Sequence, residues 1–263
     1  MNEKDLADLK RARRLLHSPS IAMQAANLIG KPLEKGMKML PKGAQETIIE
    51  VTQDSLEHAM TAAVFTMEDA PKKEASPWWH KVTVAGTGAV SGAFGLPALA
   101  IELPISTVIM LRSIVDIARS EGESISDEQA RLECLTVFAL GGESDADDES
   151  DTGYYATRLA LARLVSESIE HLAGRALAEG GAPVLVRLIT TIAERFSIQV
   201  TEKFLAQSVP IIGAIGGATI NTLFIDHFQN MARGHFIIRR LERQYGAEAI
   251  KNSFLALPDN DVT

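Results

Sequence analysis

Two stretches without a charged side chain set the first constraint on this chain: Val82 to Ile101, between Lys81 and Glu102, and Phe204 to Ile225, between Lys203 and Asp226. Each is long enough to cross a hydrocarbon core as a helix, for which about 20 residues suffice. Yet both are filled with Gly, Ala, Ser and Thr, so their hydrophobicity is mediocre for lipid. In the first run Ala85, Gly88, Ala89, Ser91, Gly92 and Gly95 place small residues three or four apart, a spacing that lets two helix backbones approach closely. The expectation is a pair of glycine-rich helical segments packed together. Composition leaves open whether they pack inside a soluble bundle or against a lipid surface.

The rest of the chain reads as helical. Of the 263 residues 46% are hydrophobic but only 5% aromatic, and Ala, Leu and Ile favour helices over a β-sandwich or barrel. Apolar residues recur at helical spacing from Glu3 to Leu16, Ile21 to Ile29, Glu46 to Met67, Ile105 to Ser120 and Tyr154 to Leu177. Ser126 is read as an N-cap, Gly122 as a helix stop and Pro183 as the first residue of a helix reaching Gln207. A long helix then carries Asn221, Phe224, Phe228, Met231, His235, Ile238, Leu241 and Tyr245 on one face, ending at Gly246. Gly95-Leu96-Pro97 is read as a break between two arms, because proline removes a helical donor. The predicted fold is all-α, a helical bundle with more than half of its residues helical and no sheet of three or more strands. Three regions are expected: a basic N-terminal part over 1–70, a main helical domain over 71–250 with an acidic loop at 143–152, and a tail over 251–263.

Charge is unevenly placed. The net charge of −8 owes most to Glu143, Asp145, Asp147, Asp148, Glu149 and Asp151, read as a solvated linker because the loop lacks the glycine and terminal glutamate of an EF-hand. The N-terminal helix is basic, with Lys10, Arg11, Arg13 and Arg14 clustered, as suits either an ordinary solvated face or an anionic surface. Trp78, Trp79 and Lys81 stand at the mouth of the first uncharged run, as membrane-interface anchors do. They are equally suited to covering the end of a soluble core. An acidic chain without a recognition-helix, zinc-finger or RNP pattern excludes nucleic acid as the expected partner. The single Cys134 forms no internal disulfide, and the charged first residues are not a signal peptide, so a cytoplasmic location is expected.

Nothing here spells out a reaction. The six histidines, His17, His58, His80, His171, His227 and His235, form no His-Glu-x-x-His pair or other compact ligand set, so no metal is expected. His235 falls in an apolar stripe and reads as a satisfied core histidine. There is no Gly-x-Ser-x-Gly elbow and no P-loop, and Cys134 among Leu132, Leu135 and Val137 reads as an inert buried thiol. No cofactor is expected. Two polar groupings remain. Glu102, Arg112 and Asp116 lie in an otherwise apolar region, with Arg112 and Asp116 as i, i+4 neighbours and Glu102 close enough to fold back on them. They read as a structural ion cluster or the polar wall of a pocket. Tyr154, Tyr155 and Arg158 form a second patch, a helix-start packing motif on the plainer reading.

The strings Gly95-Leu96-Pro97, Glu102-Leu103-Pro104 and Met110 through Arg119 resemble the bacterial EcsC family. The resemblance continues through Phe138-Ala139-Leu140-Gly141-Gly142, Tyr154-Tyr155 with Arg158, Val209-Pro210-Ile211-Ile212-Gly213, Asn221 with Phe224, and Arg239-Arg240-Leu241-Glu242 before Tyr245-Gly246. It covers roughly residues 70 to 250 and departs from the family pattern at Ser197, where glycine and a local turn are expected. It implies a mostly helical bacterial protein from a family named for a gene beside an ABC exporter and without an established activity. Some relatives carry a peptidase label, which the histidine spacing here does not support. The segment near 209–224 is also similar to the C-terminal region of some membrane-linked bacterial GTPases. The combined expectation is a non-enzymatic, peripheral membrane-associated or regulatory protein at the inner face of the cell membrane, with an anionic surface or a protein as partner. The alternatives are a soluble partner-binding scaffold and, further off, a hydrolase or other enzyme using Glu102, Arg112 and Asp116.

Overall fold

The structure is a computed structural model describing residues 1–29, 43–66, 96–141, 150–174, 183–207 and 213–258. Trp78, Trp79 and Lys81, the first uncharged run before Leu96 and most of the acidic loop lie outside the described residues. Among the described residues there are nine α-helices and no strand: α1 (Glu3–Leu16), α2 (Ile21–Ile29), α3 (Ala44–Thr66), α4 (Leu96–Ser120), α5 (Glu128–Thr136), α6 (Ser150–Gly174), α7 (Pro183–Gln207), α8 (Gly213–Tyr245) and α9 (Ala247–Leu255). A 3₁₀ turn, Val137–Ala139, extends α5. The all-α expectation holds.

Local signals account for several helix starts. The Asn2 side chain accepts from the Asp5 N–H at 2.8 Å and starts α1. At α5 the cap is Asp127, accepting from the Gln129 N–H at 3.0 Å, rather than the neighbouring Ser126. Pro183 opens α7 as expected, and α7 runs unbroken through Ser197, whose hydroxyl donates to the Glu194 carbonyl. No turn forms there. The largest departure is in α4, which begins at Leu96 and passes through Pro104. Proline in a helix frees the carbonyl four residues back, here that of Ala100. Ala100 is exposed and Pro104 only half-buried, so water can serve that carbonyl and the helix continues.

The long helix α8, 33 residues and so about 50 Å, is the axis of the bundle. Its stripe Asn221, Phe224, Phe228, Met231, His235, Ile238 and Leu241 is buried as the sequence spacing requires. Phe138 on the 3₁₀ turn wedges between Phe196 of α7 and Phe228, with ring centroids 4.8 and 5.3 Å away. Helices α1, α4 and α9 pack on α8, α3 lies across α4 and α7, and α6 packs against α5 and α7. Gly234 is where α1 comes closest. A Cβ there would stand 2.6 Å from Leu16 Cγ and 3.0 Å from the Ala12 carbonyl oxygen, so only glycine admits this approach.

Helices α4 and α8 run parallel, because Ser113 meets Gln229 while Glu121 and Glu123 meet Arg240 and Arg239 further along both chains. The bundle therefore has two unlike ends. One holds the start of α4, the end of α7 and the start of α8; the other is ionic. Helices α1 and α2 pack directly on α7 and α8, and the boundary at 250 falls inside α9, whose Phe254 is fully buried.

Candidate functional site

The expected grouping of Glu102 with Arg112 and Asp116 does not form. Because α4 is continuous, Glu102 and Arg112 are ten residues and about 15 Å apart along one helix, and Arg112 is exposed. Asp116, further along the same helix, lies 3.3 Å from Arg119. The partner of Glu102 is Lys203 of α7, at 2.6 Å, with side chains 4% and 0% exposed. The ammonium also lies 4.7 Å from the centre of the Phe224 ring. Burial pushes the Lys203 pKa down, and the Glu102 carboxylate opposes that shift. Glu102 Oε2 has no hydrogen bond among the described residues. These two charges bound the two uncharged runs, and that position was the available signal.

The second expected grouping does assemble. Tyr154 and Tyr155 meet edge to face at 5.0 Å, and the Arg158 guanidinium carbon lies 5.5 and 5.8 Å from their ring centres. Arg158 donates from both terminal nitrogens to Glu242 of α8, at 2.7 and 2.9 Å. Beneath it the Tyr154 hydroxyl bonds His235 Nδ1 at 3.1 Å, and His235 Nε2 bonds Glu133 at 3.2 Å. Arg239 joins Glu133 at 2.9 Å to Glu123 at 2.8 Å, and Arg243 also binds Glu123. Arg240 ties Glu121 at 2.8 Å to Asp8 of α1 at 2.7 Å.

The charges in this network sort consistently. Burial raises the Glu133 carboxyl, but the His235 hydrogen bond and the cations around it prevail and hold it at about 2. Burial keeps His235 neutral against the pull of Glu133. The neutral imidazole thus donates from Nε2 to Glu133 and accepts the Tyr154 hydroxyl at Nδ1. Burial raises the Tyr154 phenol and the Cys134 thiol far from ionisation, so neither is an activated nucleophile. Among the described residues no three His, Cys, Asp or Glu side chains could hold a metal ion.

Above the network is a cleft of about 410 Å³ whose lining includes Tyr155, Arg158, Leu159, Leu161, Val165 and Lys251. Sequence spacing points to Tyr155 and Arg158 of this lining but not to Lys251, which falls in the expected tail over 251–263.

The expected surface contacts divide. Arg11 and Arg14 are exposed, whereas Arg13 is 2% exposed and donates to the Leu257 and Pro258 carbonyls at 2.6 and 3.0 Å. Arg13 therefore anchors the C-terminus and does not face a membrane. Arg233 of α8 has its pKa lowered by burial and then by the charge of Arg11, with Asp226 opposing. On α4 the outer face carries Pro97, Ile101, Pro104, Ile105 and Val108, ending at Arg112. Ile101 is 71% and Ile105 49% exposed. Among the described residues α4 is the one helix long and apolar enough to cross a membrane, with 56% of its apolar window buried.

Comparison with curated proteins and with solved structures found no match. The family model described as the EcsC protein family matches residues 3–241. That span takes in α1 and α2 as well as the bundle core, and the chain belongs to the EcsC protein family.

Proposed function

We propose that this chain is a non-enzymatic, peripheral membrane-associated protein of the cytoplasm that docks on the anionic inner face of the cell membrane. The observation that carries the reading is a cluster of like charge: Arg11 and Arg14, exposed on α1, with Arg233 of α8 near enough to Arg11 to feel its charge, which Asp226 only partly offsets. Like charges held together on a surface favour an anionic counterpart, and lipid headgroups supply one at about 1 kcal/mol per cation. The apolar outer face of α4 adds a second attachment. Helices α1 and α4 both flank α8, and Arg240 bridges them through Asp8 and Glu121. A cationic patch combined with an exposed apolar face gives reversible binding of the two-signal kind.

Sedimentation with vesicles tests this. At low ionic strength the protein should co-sediment with phosphatidylglycerol vesicles, less with phosphatidylcholine ones, and binding should weaken as salt screens the arginines. If no vesicle composition brings the protein down at low salt, the reading fails and a soluble partner-binding scaffold replaces it.

A further inference from the structure

The cleft between α6 and α9 combines an apolar wall with one cation that no carboxylate pairs among the described residues. Leu161 and Val165 are buried in the wall, while Leu159 and Leu255 stand at the rim, 78% and 40% exposed. Exposed leucines flanking a cavity of about 410 Å³ are an arrangement suited to an apolar guest, and cavities of ~300 to 1,000 Å³ hold small-molecule ligands. The polar lining fixes the sign of the head group. Glu242 is already gripped by both terminal nitrogens of Arg158, and Glu133 by Arg239 and His235. Glu248 is exposed in the first turn of α9, where the positive end of the helix compensates it. Lys251 is different. Its described contact is the Tyr155 ring, 6.0 Å from the ammonium, and no carboxylate lies within ion-pair distance among the described residues.

We infer that this cleft binds a monoanionic amphiphile, with a carboxylate or phosphate head on Lys251 and an apolar chain along Leu159, Leu161 and Val165. The site is separate from the α1 surface assigned to lipid headgroups, so the two readings stand or fall independently. Each methylene buried should tighten binding by about fourfold. A cationic amphiphile of the same length would place its charge beside Lys251 and Arg158 and should be rejected.

Titration calorimetry on the full chain, with ligands kept below their micelle concentrations, decides the matter. Octanoate, decanoate and dodecanoate should bind one per chain with affinity rising along the series. Dodecyl phosphate should show whether the phosphate head is also accepted, and dodecylammonium should fail to bind. Lys251→Glu should weaken dodecanoate binding at least tenfold. Ala162→Trp, at an exposed position in the lining, should block the cleft while the thermal midpoint stays unchanged. Arg11→Glu should leave dodecanoate binding intact, separating this site from vesicle docking. Binding of dodecylammonium as tight as dodecanoate, binding indifferent to both cleft variants, or no saturable binding would each overturn the inference.

Discussion

His227 shows how one side chain sets a pH limit on the whole fold. It is 1% exposed, neither ring nitrogen forms a well-aligned hydrogen bond, and burial lowers its pKa from 6.5 to about 4 although the Leu140 carbonyl favours the charged form. Between those values the unfolded chain binds a proton that the folded chain refuses. Stability from this group is therefore complete above about pH 6.5 and declines as pH falls toward 4, by roughly 3 kcal/mol in all. Unfolding free energies from urea titrations at pH 7.5 and 4.5 should differ by about 2.5 kcal/mol less in His227→Gln. Glu133 acts in a lower window: its carboxyl is depressed from 4.5 to about 2, so its contribution is lost only as pH falls below about 4.5. The same neighbourhood explains Gly141. Its φ of +75° disfavours a side chain, and a Cβ would stand 2.6 Å from His227 Nε2. Gly141→Ala should lower the thermal midpoint by several degrees, as strain plus a clash of ~1 to 3 kcal/mol requires. His235 was legible in the sequence as a satisfied core histidine, since its stripe position is visible there. The isolation of His227 was not, because it depends on a turn brought in from α5.

At the scale of the element, α4 is where sequence and structure part most. The spacing opens this helix at Ile105, yet α4 starts at Leu96 and passes through Pro104; whether proline ends a helix depends on what serves the freed carbonyl, and that is set by which face meets water. Once α4 is continuous, Glu102 cannot fold back to Arg112, and its charge needs a partner from another helix. Lys203 supplies it from α7 at 2.6 Å. Spacing along a chain cannot reveal a contact between residues 101 positions apart. Removing one member of a buried pair strands the other, at a cost of ~3 to 5 kcal/mol, while replacing both with apolar groups is often neutral. Lys203→Met should therefore be strongly destabilising in urea unfolding, and adding Glu102→Leu should restore most of the loss. Arg112→Met, on the exposed face, should shift stability by less than about 1 kcal/mol. Tyr154, Tyr155 and Arg158 were legible as a group because Arg158 stands four residues after Tyr154 and three after Tyr155, both neighbouring positions on a helix whatever surrounds them.

For the molecule as a whole, the first and last helices are joined to each other. Arg13 in α1 is bonded to carbonyls 244 and 245 residues away, Tyr245 donates to Asp5 at 2.7 Å, and Phe254 of α9 completes the core around Tyr154 and Tyr155. A basic cluster at the N-terminus reads from sequence as one surface, but packing of α1 on α8 divides it: one arginine turns inward and its neighbours turn outward. That division yields opposite expectations for adjacent residues. Arg13→Ala removes two hydrogen bonds made by a buried guanidinium and should cost roughly 3 kcal/mol of unfolding free energy, with vesicle binding by the folded protein unchanged. The pair Arg11→Glu and Arg14→Glu alters exposed positions, so stability should stay within about 0.5 kcal/mol. Their reversed charge should nonetheless abolish co-sedimentation with phosphatidylglycerol vesicles at low salt. Full vesicle binding by the Arg11 and Arg14 variant would show that α1 does not meet the membrane, leaving the apolar face of α4 as the sole support for that docking.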